Sequence, residues 1–192
     1  MTDTGKPGKG RRTPRKVTPE SLRNAALHYL ERYASSTANL REVLRRRVLR
    51  AERFHDTDRE AAEGWIEEII ASFAGSGLLD DTIYAEGRVR SMFRQGRSQR
   101  IMKLELMKKG VDPDTVDRTL TQLEAEHPAP DRWAAIRYAR RRRLGPYRSA
   151  ARADFREKDL AALARAGFDY DVARDVVDAE DVDQLEDEDR TR

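Results

Sequence analysis

The strongest constraint on this chain is a local pattern in which a helix ends at a glycine and the next helix begins at an aspartate. Leu106, Gly110 and Asp112 have the same spacing as Leu163, Gly167 and Asp169. In both places the glycine can end a helix in the left-handed conformation. The aspartate can then accept hydrogen bonds from the first turn of the following helix. The pattern predicts short helices joined by tight corners.

A second alignment extends this pattern to the first half of the chain. Ser36 and Leu44 have the same spacing as Ser98 and Leu106, so that a capping serine precedes an apolar stripe in both stretches. Together the alignments predict a three-helix unit of about 50 residues that is used three times, which is typical of stacked repeat proteins. Period-two alternation is nowhere sustained. The predicted fold class is therefore all-α, with tandem three-helix, helix-turn-helix-like repeats.

Caps, glycines and prolines set the predicted limits of these repeats. The first repeat is predicted over residues 20–79, the second over 80–127 and the third over 131–179. Charged residues make up 38% of the 192 residues, against about 25% in an average globular chain, and an elongated array needs less apolar core than one sphere. The basic segment 1–19 and the acidic segment 180–192 contain few apolar residues, and we expect both to be disordered.

Several classes of function are not supported by the composition. Cysteine is absent, and the three histidines, at 28, 55 and 127, lie too far apart in sequence to suggest metal ligands. No apolar run approaches the roughly 20 residues that span a bilayer, and the basic N-terminal segment has no apolar stretch of a signal peptide. We therefore expect a cytoplasmic monomer without contact to a membrane.

The search for catalytic residues finds no candidates. Gly8-Lys9-Gly10 lies in the basic segment, outside any strand-to-helix turn that could bind phosphates. Asp80 and Asp81 directly precede a helix, which favours capping over metal binding. No serine or threonine has an evident base nearby. The sequence predicts a protein that is not an enzyme and has no cofactor or metal.

Basic side chains recur around the second helices of the first two repeats, at spacings that place several on one exposed face. Such a strip suits a polyanion or an acidic groove. The alternative is a solvated face whose cations pair with interleaved acids such as Glu42 and Glu105. In the third repeat, only one or two of the four consecutive arginines at 140–143 can face one partner, because a helix spreads them around its circumference. The predicted partner-binding or phosphate-binding residues are Arg41, Arg45, Arg90, Arg94, Arg97, Arg100, Lys103 and Lys109.

Four short motifs lie between Gly77 and Val111. They are Gly77-Leu78-Leu79-Asp80-Asp81-x-x-Tyr84-Ala85, Val89-Arg90-Ser91, Gly96-Arg97-Ser98 and Glu105-Leu106-x-x-Lys109-Gly110-Val111. In these motifs the chain resembles the central repeat of the RecX family of regulatory proteins. The resemblance extends more loosely over about residues 20–178 and is weakest in the third repeat. Two departures are an insertion over about residues 47–62 and a glycine, Gly87, in the middle of a helix.

This resemblance implies a curved, elongated molecule that binds within the groove of the RecA recombinase filament on single-stranded DNA. It implies modulation, mainly inhibition, of filament growth, ATP hydrolysis and strand exchange, with weak direct binding to DNA and no catalytic residues. The alternative is a helical DNA-binding protein or repressor that acts without RecA. Of the side chains that read bases, only Ser98 and Gln99 lie beside the arginines of the second repeat, which gives that alternative little support.

Overall fold

A computed structural model describes residues 15–183 and 185–186, and every regular element within these residues is helical. The all-α prediction with tandem three-helix repeats is confirmed. The first repeat contains α1 (Pro19–Leu30), α2 (Thr37–Ala51) and α3 (Arg59–Gly75). The second contains α4 (Asp81–Arg94), α5 (Gln99–Lys108) and α6 (Pro113–Glu126). The third contains α7 (Pro130–Arg142), a 3-10 turn (Gly145–Tyr147), α8 (Arg152–Arg165) and α9 (Tyr170–Asp178).

Most helices begin at the capping residues that the sequence predicts. The Thr18 hydroxyl accepts a hydrogen bond from the Ser21 N–H, and the Ser21 hydroxyl accepts one from the Thr18 N–H. The Asp80 carboxylate accepts hydrogen bonds from the N–H groups of two residues in the first turn of α4. Ser98 and Asp112 cap α5 and α6 in the same way. Each cap satisfies donors that the helix itself leaves unpaired.

The third repeat departs from the predicted caps. Asp169 occupies the cap position of α9, but its side chain makes no capping hydrogen bond. Helix α7 begins at Pro130, because proline fits the first helical turn. Ala129, directly before it, has a left-handed backbone with φ of 54°. The starts of α7 and α9 therefore rest on backbone geometry and packing.

Each repeat has its own apolar core. The first is built around Leu40, Leu44, Ile66 and Phe73, all at most 1% exposed. Met102 and Leu106 are fully buried in the second, and Leu163 and Val176 are fully buried in the third. Burying such a side chain stabilises a fold by roughly 1.5–3 kcal/mol. Short amphipathic helices therefore become stable through tertiary packing.

Three side chains that the helical spacing assigned to the apolar faces are exposed. Tyr33 is 56% exposed, Leu104 is 54% exposed and Met107 is 46% exposed. Tyr33 follows the last residue of α1, so the helical periodicity no longer applies to it. Leu104 and Met107 lie on the side of α5 that faces away from the buried Met102 and Leu106.

The disorder of the terminal segments stays a prediction, but each segment has a buried apolar residue at its inner end. Val17 is 3% exposed and belongs to the first core, and Leu185 is 1% exposed and belongs to the third. Residues 182–183 and 185–186 have helical geometry. Each of these apolar side chains packs against a core although its segment as a whole is polar. The rest of both predicted tails, residues 1–14, 184 and 187–192, lies outside the described residues.

The chain divides between Leu79 and Asp80 into two compact units. The second unit contains both the second and the third repeat, and α4 packs against α7 within it. The rings of Phe93 and Trp133 stack there, with centroids 4.4 Å apart. The repeat boundaries at residues 20–79, 80–127 and 131–179 stay a prediction. None of the described helices is long and apolar enough to cross a bilayer.

Candidate partner-binding surface

The N-terminus of α5 is held by residues from the third repeat. The buried Ser98 hydroxyl donates a hydrogen bond to the Ala166 carbonyl oxygen at 2.8 Å. The Gln99 N–H donates to the Asp131 carboxylate at 2.7 Å. Burial raises the pKa of Asp131, and the hydrogen bond from Gln99 opposes that rise. These contacts fix the orientation of the basic helix α5 relative to α7 and α8.

Two of the predicted binding residues in the second repeat have no ion-pair partner among the described residues. Arg94, in the last turn of α4, and Arg100, in the first turn of α5, are both exposed. An exposed guanidinium that no carboxylate neutralises is available to an anionic partner.

The other predicted cations of the second repeat have neighbours within the protein. Arg90 pairs with Glu86 at 3.0 Å, and Lys103 pairs with Asp117 at 2.5 Å. Arg97 lies 3.5 Å from Glu105, which also lies 3.8 Å from Arg88. Surface pairs of this kind contribute about 0–1 kcal/mol, so a partner can displace them at small cost. Lys109 caps the end of α5 and is half-buried.

The two predicted binding residues of the first repeat are more tightly engaged. Arg41 donates two hydrogen bonds to Glu67, at 2.6 and 2.9 Å. Arg45 donates to Glu63 and also to Glu42. The hydrogen bonds raise the pKa of both arginines and lower the pKa of Glu63 and Glu67. The structure thus places Arg41 and Arg45 in ion pairs between α2 and α3, in a different compact unit from Arg94 and Arg100.

The four arginines at the end of α7 have different surroundings. Arg140 lies 3.5 Å from Glu186, and Arg143 ends the helix in the left-handed conformation. Arg141 and Arg142 instead line a cleft in the second unit, together with Arg97 and Arg165. That one or two of the four arginines face one partner stays a prediction. Sequence reasoning missed Arg165, because it stands seven residues away from the nearest other cation of α8.

Other arginines of the third repeat hold the fold together. Arg148 donates two hydrogen bonds to the buried Asp159 carboxylate, at 2.6 and 2.7 Å, and the Gly145 N–H donates a third at 2.8 Å. Burial alone would raise the pKa of Asp159, but these hydrogen bonds outweigh burial and lower it. Arg152 donates to the backbone carbonyl oxygens of Val177, in the last turn of α9, and of Glu180, just beyond that helix. These side chains are committed to structure, a role that was not predicted from the sequence.

Within the described residues, no three histidine or acidic side chains lie close enough to hold a metal ion. The polar side-chain atoms that are buried there all have hydrogen-bond partners. The prominent chemical feature of the second unit is therefore its set of exposed arginines.

Comparison with known proteins identifies the relatives of this chain. Residues 80–120 match the family model described as RecX, second three-helix domain. The chain is 42% identical over 173 residues to the regulatory protein RecX of Myxococcus xanthus (strain DK1622), covering 89% of this chain and 91% of that protein. It is 32% identical over 166 residues to the regulatory protein RecX of Agrobacterium fabrum, covering 83% of this chain and 86% of that protein.

Two solved structures support the same fold. A crystal structure of regulatory protein RecX superimposes with a TM-score of 0.63 at 24% identity, covering 84% of this chain and 72% of that one. The crystal structure of RecX from Lactobacillus salivarius gives a TM-score of 0.60 at 24% identity, with 83% and 94% covered. The relatives at higher identity are named regulatory proteins. The capped three-helix repeats, the matched second domain and the 42% identity over most of the chain establish that this protein belongs to the RecX family.

Proposed function

We propose that the protein binds the RecA recombinase filament on single-stranded DNA and modulates, mainly by inhibition, its ATPase activity, growth and strand exchange. The observation that carries this proposal is the 42% identity to a regulatory protein RecX over 89% of the chain. The exposed Arg94 and Arg100, which have no carboxylate partner within the described residues, supply a surface for an acidic or phosphate-rich partner.

The direct test is to titrate the protein into RecA filaments on single-stranded DNA and to measure ATP hydrolysis. We expect the rate to fall in a saturable way. Unchanged hydrolysis, filament length and strand exchange at saturating protein would contradict the proposal. Tight, sequence-selective binding to duplex DNA without RecA would instead support a repressor.

A triple variant tests whether the exposed arginines of α4 and α5 form the surface that binds the RecA filament. We expect Arg94→Ala/Arg97→Ala/Arg100→Ala to require about tenfold more protein for half-maximal inhibition, because three exposed charge contacts of about 0.5 kcal/mol each together amount to that factor. The helical circular dichroism should not change, since none of the three side chains is buried.

The matched control removes three exposed arginines elsewhere. Arg46→Ala/Arg47→Ala/Arg50→Ala on α2 changes the net charge by the same amount and leaves α4 and α5 intact. We expect a clearly smaller loss of inhibition from it. Equal losses from the two triple variants would show that only the total charge matters and would refute the assignment to α4 and α5.

A further inference from the structure

The second unit contains a cleft of about 650 Å³ between the turn that joins α4 to α5 and the helices α7 and α8. Its lining combines four arginines with an aromatic ring and small apolar side chains, and none of the lining residues is acidic. The four arginines come from different parts of the chain, namely Arg97, Arg141, Arg142 and Arg165.

Most of this positive charge is not neutralised within the protein. Arg142 and Arg165 are exposed and have no ion-pair partner among the described residues. Arg141 donates one hydrogen bond to the neutral carbonyl oxygen of Gln95, at 2.7 Å, and its other donors remain. Arg97 lies 3.5 Å from Glu105, with its side chain 46% exposed. The cleft therefore gathers guanidinium groups without the carboxylates that neutralise Arg41 and Arg45 in the first unit.

The walls of the cleft are fixed by close contacts between the second and third repeats. The Ser98 hydroxyl donates to the Ala166 carbonyl oxygen at 2.8 Å, directly beside the cleft. Gly96, which lines the cleft, has a φ of 70°, and a Cβ there would lie 3.0 Å from the Ala134 carbonyl oxygen. The arginines are thus attached to a preformed frame, and a ligand need not order the backbone in order to bind.

Tyr138 gives the cleft a second kind of binding surface. The guanidinium carbons of Arg141 and Arg142 lie 5.5 and 5.8 Å from the centre of its ring. The ring also makes an edge contact with Phe168, at a centroid distance of 5.9 Å, which holds it in place. Ile101 and Leu144 add apolar surface beside it. An occupant that combines repeated negative charge with flat, weakly polar groups fits this lining.

We propose that this cleft binds the phosphodiester backbone of a single-stranded nucleic acid. A phosphate group offers acceptor oxygens in several directions, so guanidinium groups from different walls can bind adjacent phosphates. The apolar and aromatic lining can contact the sugars and bases between them. An acidic peptide would satisfy the arginines but would leave this lining less well used. The inference does not rest on the RecA proposal, since its test contains no RecA.

The test measures fluorescence anisotropy of a labelled oligothymidylate titrated with the full chain. We expect Arg142→Glu/Arg165→Glu to weaken binding by about a hundredfold or more, because two charge-assisted phosphate contacts are lost and two negative charges are introduced. The dependence of log affinity on log salt should become shallower by about 1.4, which corresponds to two lost phosphate contacts on a single strand. The milder Arg142→Gln/Arg165→Gln should weaken binding in the same direction without introducing negative charge.

The matched control is Arg46→Glu/Arg47→Glu, which changes the net charge equally at exposed positions outside the cleft. We expect this variant to retain most of the affinity. Equal losses from the two double variants would overturn the proposal in favour of general charge attraction. Unchanged oligothymidylate binding by the cleft variants, together with lost binding of labelled polyglutamate, would assign the cleft to an acidic peptide and overturn the proposal as well.

Discussion

Helices α2 and α5 begin with the same signal and have different surroundings. Both start after a buried serine and both bury two apolar residues at matching positions, Leu40 and Leu44 in α2 and Met102 and Leu106 in α5. Two arginines of α2, Arg41 and Arg45, are paired with glutamates of α3. Helix α5 instead uses its serine to contact the third repeat, and its exposed Arg100 has no carboxylate partner within the described residues.

The difference shows that the neighbouring helix decides whether a cation is structural or available. Helix α3 presents Glu63 and Glu67 towards α2, and these acids neutralise Arg45 and Arg41. In the second repeat, Asp117 of α6 meets Lys103 and leaves the arginine at the start of α5 unpaired. Whether a given cation is paired therefore depends on which acids the third helix of its repeat places opposite it.

The largest effect should come from breaking the contact between α5 and the third repeat. In Gly167→Ala, the new Cβ would lie 2.5 Å from the Ser98 hydroxyl oxygen, and the backbone φ is +89°. We expect a loss of about 2–3 kcal/mol in the unfolding free energy of the second unit. Backbone strain of about 1–2 kcal/mol accounts for part of it, and a lost hydrogen bond of about 1 kcal/mol accounts for the rest.

Chemical denaturation followed by tryptophan fluorescence measures this loss. Trp133 lies in the second unit and Trp65 in the first, so a Trp65→Phe background reports on the second unit alone. Gly77→Ala is the matched control, because its φ is +73° and nothing lies within 4 Å of its Cβ position. We expect this control to lose only the part of the unfolding free energy that backbone strain accounts for, about 1–2 kcal/mol. A loss for Gly167→Ala no greater than that of the control would show that the contact with Ser98 is unimportant.

A smaller effect is expected from the serine itself. Ser98→Ala removes both the cap of α5 and the hydrogen bond to the Ala166 carbonyl oxygen, and we expect it to cost about 2 kcal/mol. The double variant with Gly167→Ala should lose about 1 kcal/mol less than the sum of the single losses, because the alanine at 167 already disrupts the same hydrogen bond. Strict additivity in denaturation experiments would mean that the two residues act independently.

The smallest loss of stability should come from removing an acid that faces α2, so that an arginine of α2 becomes unpaired like Arg100 of α5. Glu67→Gln removes the carboxylate that pairs with Arg41, and we expect it to cost about 0.5 kcal/mol, since the pair is partly exposed. The folded-state pKa of Glu67 is lowered, so the pair stabilises the fold above the ordinary carboxyl pKa of about 4.3 and this contribution disappears as the pH falls through the folded-state pKa.

Denaturation of the first unit at neutral and acidic pH, followed through Trp65, measures this difference. Glu68→Gln is the matched control, because Glu68 is an exposed neighbour on α3 that forms no ion pair with the described residues of α2. The wild type and Glu67→Gln should differ at neutral pH and converge in acid. A difference that persists in acid would contradict the assignment to the ion pair.

Much of the fold could be predicted from the sequence because caps and helix stops act locally. Thr18, Asp80, Ser98 and Asp112 each bond to backbone within three residues of themselves. The predictions differ from the structure where contacts between residues distant in sequence decide the local structure. Leu185 is buried although it lies in an acidic segment, and α9 begins at Asp169 without a side-chain cap.

The candidate site was less predictable than the fold. Helical spacing identified which cations share a face, but it could not show that Glu63 and Glu67 neutralise two of them, since these residues meet α2 only after α3 has packed. The cleft was even less predictable, because its arginines at positions 97 and 165 are brought together only by the packing of two repeats. No spacing rule within one helix contains that information.

By itself, the sequence determined the helical class, the repeated three-helix unit, the main capping residues and, through the motifs between Gly77 and Val111, the family. All of these depend on interactions between residues close in the chain or on the order of residue types. The tertiary structure decided which cations are paired, which terminal residues are buried and where four arginines meet in one cleft. Electrostatic pairing and burial depend on distances in space, and residues far apart in sequence acquire those distances only when the helices pack.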